Sequence, residues 1–419
     1  MPLERPEHPI PTLAQVGADA GTVYAVNGLI GFIFAASGPV AIILSVGSAG
    51  GLSEADLASW IFGAFAINGL LGVAFSWLYR QPLVFFWTIP GTVLVGPALA
   101  HLTFPEVIGA FVATGLLMLL LGLSGWVRRI MSAVPMPIVM GMVAGVFLKF
   151  GLDLVHALRE DAWIAAPMVV TFVALSALPR LARYAPPLIA ALVVGTLMIA
   201  LTGGLEPASA TTATLARPNL YLPQFSPQAM IELVVPLAIT VLVVQNGQGV
   251  AILSAVGHRP PVNAITAACG AVSLLTALVG TVSTCLTGPT NAIVASAGDR
   301  TRHYTGAIFV GLLAIGFGLF SPLFTRLLLA TPGAFIATLG GLAMLRVLQT
   351  AFTISFRDRF SLGALVTFLV TVSGITIASI GAPFWGLVLG FVASWLLERD
   401  DFRALAEGAP AATGSRPAP

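Results

Sequence analysis

Two segments of the sequence, Gln81–Leu99 and Val282–Gly298, join an apolar run with β-propensity to a Pro/Gly break and then to a short apolar helix. The breaks are Pro90-Gly91 and Gly288-Pro289. Proline suits the first turn of a helix, because the N–H that it lacks would have no acceptor there. The free N–H groups and the positive dipole end of a helix N-terminus favour an anion. The two segments therefore predict anion binding.

Polar side chains flank both breaks without adding a fixed charge. They offer hydroxyl and amide donors that suit an anion. The alternative interpretation is that Pro and Gly only kink two packed helices, but paired interrupted segments in corresponding halves of a chain favour a transporter binding site. The candidate substrate-binding residues at the breaks are Thr88, Pro90, Gly91, Thr92, Gly288, Pro289, Thr290 and Asn291; Thr287 also flanks the second break.

A second polar group, Gln245-Asn246-Gly247-Gln248-Gly249, lies inside a later apolar segment. Amides at membrane depth are costly unless they are hydrogen-bonded. They either join helices or bind a ligand opposite the helix ends, and we take Gln245 and Asn246 as candidates for the second role. Ser37, in the kink Ser37-Gly38-Pro39 of the first segment, is a further candidate with an equal case for packing.

Acids and histidines are scarce within the apolar segments. Glu232 lies about 20 Å from Gln245 at the helical rise, so we expect it at the membrane interface. Every histidine beyond the N-terminal head is expected in a solvated loop at a segment end, and among them His101 alone is close to a broken helix. There is no metal-ligand spacing, nucleotide loop or nucleophile motif in context. We therefore expect no enzyme activity, no cofactor and no metal.

The composition is that of a polytopic membrane protein. Of 419 residues, 57% are hydrophobic and 9% are charged, and the mean hydropathy is +0.97; soluble proteins are near 25% charged. A formal charge of +2 is too small to indicate a nucleic-acid partner. Cys269 and Cys285 fall in apolar runs, so we expect no disulfide. The N-terminus shows no cleavable signal peptide.

Fourteen apolar segments are predicted, in two sets of seven, and the broken segments are numbers 3 and 10. Placing the N-terminus inside puts eleven arginines on the cytoplasmic side and four basic residues on the other, as the positive-inside rule requires. Both termini are then cytoplasmic in a multi-pass protein of the inner (plasma) membrane. The predicted units are a head (1–20), a first repeat (21–201), an external linker (202–227), a second repeat (228–398) and a disordered tail (399–419).

An internal repeat supports this division. Adding 197 takes Gly91 to Gly288, and the same offset relates five further identical pairs. Since each unit has an odd number of segments, the second copy must be inverted, which is a transporter architecture. The other pairs are Gly109 and Gly306, Ala110 and Ala307, Arg129 and Arg326, Pro135 and Pro332, and Pro186 and Pro383.

Several motifs, in order along the membrane part, resemble the benzoate/proton symporter family. The resemblance implies a seven-plus-seven inverted-repeat fold shared with nucleobase and sulfate-type carriers, with a core domain (segments 1–4 and 8–11) and a gate domain (5–7 and 12–14). It also implies that short antiparallel strands in segments 3 and 10 meet at the substrate, and that proton-driven transport moves core against gate. The motifs are Ser59-Trp60, Arg80-Gln81-Pro82, Trp87–Gly91, Gln245-Asn246, His258–Pro261, Thr367–Gly374 and Phe384–Leu387.

The sequence departs from the family pattern at Leu286–Asn291, which is more polar and contains Pro289. Nucleobase relatives carry a Glu in segment 8 where Gln245 stands here, and losing that charge fits an anionic substrate. We therefore expect symport of benzoate or a related aromatic or small carboxylate with protons across the bilayer, and consider a homodimer as one assembly. The alternatives are an inorganic-anion carrier of the sulfate or bicarbonate kind, or an anion channel.

Overall fold

The computed structural model describes residues 3–178, 186–203, 213–296, 298–378 and 380–406. Seven helices in this part are long and apolar enough to cross a membrane, and six further apolar helices are shorter. The predictions that concern Arg180, Arg183, residues 204–212 of the linker, Ala297 and residues 407–419 of the tail lie outside the described residues.

The first repeat contains a broken first segment, a strand followed by a half-helix, and five further membrane helices. Ser37, between α2 and α3, has φ −99° and ψ −100°, so the predicted kink is present. The elements are α1 (Leu13–Asp19), α2 (Thr22–Ala36), α3 (Gly38–Ala49), α4 (Glu54–Tyr79), β1 (Phe85–Trp87), α5 (Ile89–Ala98), α6 (Phe104–Ser124), α7 (Val127–Ala133), α8 (Met136–Glu160), α9 (Ala162–Ala177) and α10 (Pro187–Thr202).

The second repeat follows the same order. Its first helix contains a π-helical turn over Thr240–Asn246, which includes the first two residues of the polar group identified above. The elements are α11 (Pro227–Ala255), α12 (Val262–Leu278), β2 (Thr284–Leu286), α13 (Gly288–Val294), α14 (His303–Leu319), α15 (Ser321–Leu329), α16 (Gly333–Phe356), α17 (Ser361–Ser373), α18 (Ala382–Leu397) and α19 (Arg399–Ala406).

The structure confirms the fold class and the correspondence between the repeats. The starts of α8 and α16, Met136 and Gly333, are 197 residues apart, and the other equivalent elements from β1 onwards lie close to that offset. The strands pair antiparallel, with Phe85 opposite Leu286 and Trp87 opposite Thr284. Equivalent strands of the two repeats thus run in opposite directions, as inversion requires.

The helices form two groups that match the expected core and gate. In the gate, α16 packs along α8, α17 against α8 and α18, and α9 against α10. In the core, α12 packs along α6, α14 against α2 and α4, and α13 against α2 and α11. The groups meet mainly where α3 crosses α16, and both half-helices belong to the core.

Buried side chains satisfy the outer edges of the two-stranded sheet. A sheet this small leaves backbone groups without a ladder partner, and burying them unpaired in a membrane is costly. Ser76 Oγ accepts the Leu83 N–H at 3.1 Å, and Ser273 Oγ accepts the Thr284 N–H at 2.9 Å. Asn291 Oδ1 accepts the Val84 N–H at 3.0 Å. Side chains from α4, α12 and α13 therefore fix the strands in the core.

The head and the tail are both attached to the bundle. Glu4 accepts hydrogen bonds from the backbone at the start of α12, including Ala264 N–H at 3.0 Å. In the tail, α19 is helical where the sequence predicts disorder. The reason is its anchoring, since Asp401 accepts the Phe360 N–H at 2.8 Å and Phe402 packs edge-on against Phe360.

Candidate functional site

A cavity of about 390 Å³ lies between the two half-helices and the gate. Its core wall is formed by the break in α2/α3, by β1 and by the first residues of α5 and α13. Its gate wall is formed by the halves of α8 and α16 nearest the face that holds both termini. Apolar and aromatic side chains dominate, among them Phe34, Phe86, Trp87, Met140, Phe147 and Val347.

Several polar residues lie in the wall of the cavity. Gln245 is 6% exposed, and its side chain makes no hydrogen bond within the described part of the chain, although it lines the cavity. Thr287 and Trp87 are also lining residues, but the Thr287 hydroxyl and the Trp87 indole N–H are buried away from the open space and have no partner among the described residues. Gln248 is an exposed lining residue, and its side chain packs against Gly288 at the start of α13. The approach is so close that a Cβ added to Gly288 would lie 2.5 Å from Gln248 Oε1. Such unsatisfied groups are costly unless a ligand or water pairs with them.

Among the described residues that line this cavity, one has a basic side chain, Arg346 of α16. It is exposed, and its Nη1 donates to Gln349 Oε1 at 3.0 Å. The sequence places Arg346 on the cytoplasmic side, and the structure adds that it reaches the cavity from the gate. A guanidinium can bind a carboxylate through two parallel hydrogen bonds.

The candidate residues from the sequence divide into two sets. Pro90, Gln245, Pro289 and Thr290 line the cavity. The other seven lie behind its wall and are Ser37, Thr88, Gly91, Thr92, Asn246, Gly288 and Asn291.

Asn246 and Asn291 hold the strands in the structure. Asn246 Oδ1 accepts the Leu286 N–H at 2.8 Å, so this amide joins α11 to β2. Asn291 also donates through Nδ2 to the carbonyls of Val84 (3.2 Å) and Thr287 (2.6 Å). In this structure both side chains therefore hold neighbouring segments together and are not free to bind a ligand.

Three hydroxyl candidates are also occupied locally. Thr88 Oγ1 caps α5 by accepting the Gly91 N–H at 3.1 Å, and it donates to Thr240 at 3.2 Å. Thr92 Oγ1 donates to the Thr88 carbonyl at 3.0 Å, and Ser37 Oγ donates to the Phe34 carbonyl at 3.1 Å. These contacts shape the half-helix and the break, on which the cavity depends.

Neighbouring amides of α11 face opposite ways. Gln245 and Gln248 line the cavity, as their three-residue spacing predicts, while Asn246 and Gly249 face β2. Gln245 and Asn246 are also the last two residues of the π-helical turn in α11. Local π turns in helices frequently occur at functional sites.

Sequence reasoning missed several residues, and the repeat offset could have revealed some of them. Ser76 and Ser273 are 197 residues apart and make equivalent contacts to the two strands. Lys149 and Arg346 are related by the same offset. Thr287 and Trp87 flank the breaks, but the sequence contains no information on whether their polar atoms find a partner.

Three ionisable side chains, Glu232, His258 and His303, are more buried than expected. Glu232 is 5% exposed, and its Oε2 lies 2.9 Å from His101 Nε2. His258 and His303 are buried, with His258 Nε2 at 3.3 Å from His303 Nδ1. Burial lowers the pKa of His258 to about 4, and the nearby charges of His303 and Arg300 act in the same direction. The expectation of a solvated loop position was wrong for His258 and His303, because other segments cover them, whereas His101 is exposed in a loop as expected.

The sequence comparisons agree with this architecture. Residues 18–396 match the family described as "Benzoate membrane transport protein". The chain belongs to this family.

Two curated proteins are similar to this family member over most of their length. One is the inner membrane protein YdcO of Escherichia coli (strain K12), 29% identical over 87% of this chain and 93% of that protein. The other is the benzoate membrane transport protein of Acinetobacter baylyi, 26% identical over 89% of this chain and 94% of that protein. As a member of this family the chain is a membrane transporter and not an enzyme.

Solved structures share the fold of this family member. The transmembrane domain of the cyanobacterial bicarbonate transporter BicA aligns with a TM-score of 0.60 at 18% identity, over 87% of this chain and 97% of that one. Murine Slc26a9, an anion transporter in the inward-facing state, aligns with a TM-score of 0.62 at 12% identity, over 95% of this chain and 73% of that one. At these identities the likeness concerns the fold alone.

Proposed function

We propose that this protein is a proton-coupled symporter of benzoate or a related aromatic or small carboxylate. The observation that carries the proposal is the cavity, because its described lining combines aromatic side chains, the unpartnered amide of Gln245 and the guanidinium of Arg346. Its volume of about 390 Å³ lies in the range of small-molecule sites. The name of the Acinetobacter relative supports the same substrate class.

In the proposed complex the carboxylate lies near the start of α5 and α13. The Gln245 amide offers a donor there, and Arg346 attracts the negative charge from the gate side. The ring lies against Phe86 and Phe147, since aromatic pairs add attraction beyond the area that they bury.

The apolar wall favours an aromatic acid over an inorganic anion. A small inorganic anion pairs with the donors but leaves the aromatic and Met side chains without a contact. Uptake of sulfate or bicarbonate, with none of aromatic acids, would support the inorganic-anion carrier instead.

We infer that transport moves the core against the gate in an elevator-like motion. Both half-helices are core elements, whereas Arg346 and Met140 belong to the gate, so the cavity spans the boundary. The bias of basic residues supports cytoplasmic termini, and the inner-membrane relative supports that location. The cavity then opens towards the cytoplasm. The homodimer remains a proposal for the assembly.

Uptake of radiolabelled benzoate into proteoliposomes, with and without an imposed pH gradient, tests the proposal. We expect saturable uptake that an inward proton gradient stimulates. Absence of stimulated uptake across several aromatic acids would contradict the substrate, and a flux that does not saturate would indicate a channel.

The substitution Arg346→Gln tests the site itself. Losing a charge-assisted hydrogen bond should weaken benzoate binding about tenfold or more, and Gln245→Ala should weaken it as well. Arg357→Gln is the matched control, because Arg357 follows α16 and its side chain is 72% exposed. Unchanged binding in both cavity variants, measured by calorimetry, would move the site elsewhere.

A further inference from the structure

Lys149, the only lysine in the sequence, lies at membrane depth in the gate helix α8. At the helical rise it is about 20 Å from the start of α8 at Met136 and about 16 Å from its end at Glu160. Its side chain is 71% exposed, and its Nζ lies 2.6 Å from Asp153 Oδ2. A cation at such depth is costly against lipid and usually faces a water-filled cavity or an ion pathway. Lys149 is not among the described residues that line the substrate cavity, so that cavity in its present form does not account for the charge.

The internal repeat makes Lys149 the counterpart of Arg346. The two residues are 197 apart, and each lies equally far from the start of its helix, α8 or α16. Because the repeats are inverted, these two helices cross the membrane in opposite directions. Arg346 belongs to the cavity wall nearest the termini, so Lys149 has the equivalent position towards the opposite face.

The core meets the gate differently in the two repeats. In the half of the membrane away from the termini, the start of α3 packs so closely on α16 that a Cβ added to Gly38 would overlap with Ala343 Cβ. The corresponding elements nearer the termini are the last turns of α11 (Gly247–Ala255) and α8, and the cavity separates them, since Gln248 and Met140 both line it. If the repeats exchange these arrangements, the cavity closes towards the termini and opens on the other face. Such an exchange around one fixed site is how inverted repeats give alternating access.

In the exchanged state, the face of α8 that corresponds to the lining face of α16 borders the cavity. An ammonium and a carboxylate then stand at the opening, where the present state has a guanidinium and a hydroxyl. The residues Lys149, Phe150 and Asp153 are the counterparts of the lining residues Arg346, Val347 and Thr350.

We propose that Lys149 attracts the substrate carboxylate when the cavity is open to the face opposite the termini. The inference rests on the proposed function and adds the residue that receives the anion on that side. The half-helices travel with the substrate in the core, while the gate cation beside them changes from Lys149 to Arg346. In the present structure Asp153 holds the ammonium, so a substrate carboxylate either displaces Asp153 or shares the three ammonium donors with it.

Uptake of radiolabelled benzoate into vesicles whose outer surface is the face opposite the termini tests the proposal. Lys149→Gln should raise KM about tenfold or more, because a charge-assisted hydrogen bond is lost. Asp153→Asn should lower KM, since it removes the carboxylate that competes for the ammonium. Arg159→Gln is the matched control and should leave KM unchanged, because Arg159 is an exposed basic residue in the last turn of the same helix.

The comparison of Lys149→Gln with Asp153→Asn separates attraction of the substrate from a structural ion pair. Both variants break the same pair, so a purely structural role predicts that KM changes in the same direction in both. The conservative variant Lys149→Arg keeps the charge and should keep KM close to that of wild type. Changes in the same direction, or a KM in Lys149→Gln equal to that of wild type, would overturn the proposal.

Labelling of the only lysine tests its location without any substrate. An amine-reactive reagent that cannot cross the membrane should modify Lys149 when it is added to the face opposite the N-terminal amine. In the double variant Lys149→Arg/Arg346→Lys, the lysine should instead be modified from the face that holds the termini.

The labelling also separates this inference from the proposed function. If the wild-type protein takes up no aromatic acid, the proposed substrate fails and the labelling alone decides the location of Lys149. Absence of modification of the wild-type protein from the face opposite the termini would refute the inference. This result needs no variant, so it also decides if a substituted protein does not fold.

Discussion

Asn291 and Gln245 carry the same functional group and have opposite surroundings. Asn291 is fully buried and binds the backbone of Val84 and Thr287, whereas Gln245 lines the cavity without a protein partner. A satisfied buried amide stabilises the fold, and an unsatisfied one is available to a ligand. At the scale of single residues, the presence or absence of a hydrogen-bond partner thus distinguishes an amide that stabilises the fold from one that can bind a ligand.

The substitution Asn291→Ala should destabilise the protein by about 1–3 kcal/mol, because it leaves the Val84 N–H buried without an acceptor. A thermal-shift midpoint in detergent measures the effect. Thr92→Val is the control. It removes a buried hydroxyl, but the Thr88 carbonyl still accepts the Thr92 N–H at 2.9 Å, so no backbone group loses its partner. Equal midpoints for the two variants would contradict the role of Asn291.

The sequence indicated the region of the cavity better than the individual residues that line it. Pro90, Gln245, Pro289 and Thr290 were predicted from the breaks and from the cost of an amide in a membrane. The role of Asn291 could not be predicted, because it depends on the free N–H of Val84, 207 residues away. Arg346 was assigned to a membrane side from the charge pattern, which contains no information on what its helix faces.

At the scale of elements, the loop between α11 and α12 packs onto the start of α14. His258 and His303 meet there, and Arg300 Nη1 donates to the Gly257 carbonyl at 2.7 Å. The loop is therefore held by a buried imidazole among positive neighbours. Such an imidazole resists protonation because both burial and nearby charge oppose it.

Acidification should weaken this contact. The pKa of His258 falls from 6.5 to about 4 on folding, so the unfolded chain binds more protons between those values. Stability is then complete above about pH 6.5 and falls as the pH drops towards 4, by about 2 kcal/mol at pH 5. His258→Gln should flatten the dependence of the thermal midpoint on pH, and His156→Gln, at an exposed position, should not. A pH profile that His258→Gln leaves unchanged would refute this assignment.

Elements themselves were largely predictable. Hydrophobic length gave the helices, and the Pro/Gly breaks gave β1, β2 and the half-helices after them. The contacts between elements could not be predicted, as Glu232 shows. Its distance along a helix suggested the interface, but the loop after α5 and the start of α18 cover it.

At the scale of the whole molecule, the division into core and gate predicts that joining the two should stop transport. A Cβ on Gly340 of α16 would lie 4.0 Å from Ala41 Cβ of α3, within the range for a disulfide. Oxidised Ala41→Cys/Gly340→Cys should therefore lose uptake and regain it on reduction.

The two single cysteine variants are the controls for this experiment. The native Cys269 and Cys285 are buried and free, so they should not interfere. Cross-linked protein that transports at the rate of the reduced form would show that core and gate need not slide. Gel mobility after cleavage of the linker reports the extent of cross-linking.

The strand pair also has a consequence for biosynthesis. Trp87 pairs with Thr284, so the ribosome must add nearly 200 residues before β1 finds its partner. At roughly 5–20 residues per second this takes about 10–40 s. During that time the backbone groups of Phe85–Trp87 lack their strand partner, and the membrane interior contains no water that could form hydrogen bonds with them. The nascent first repeat must therefore wait in the translocon, or under another protein, until the second repeat arrives.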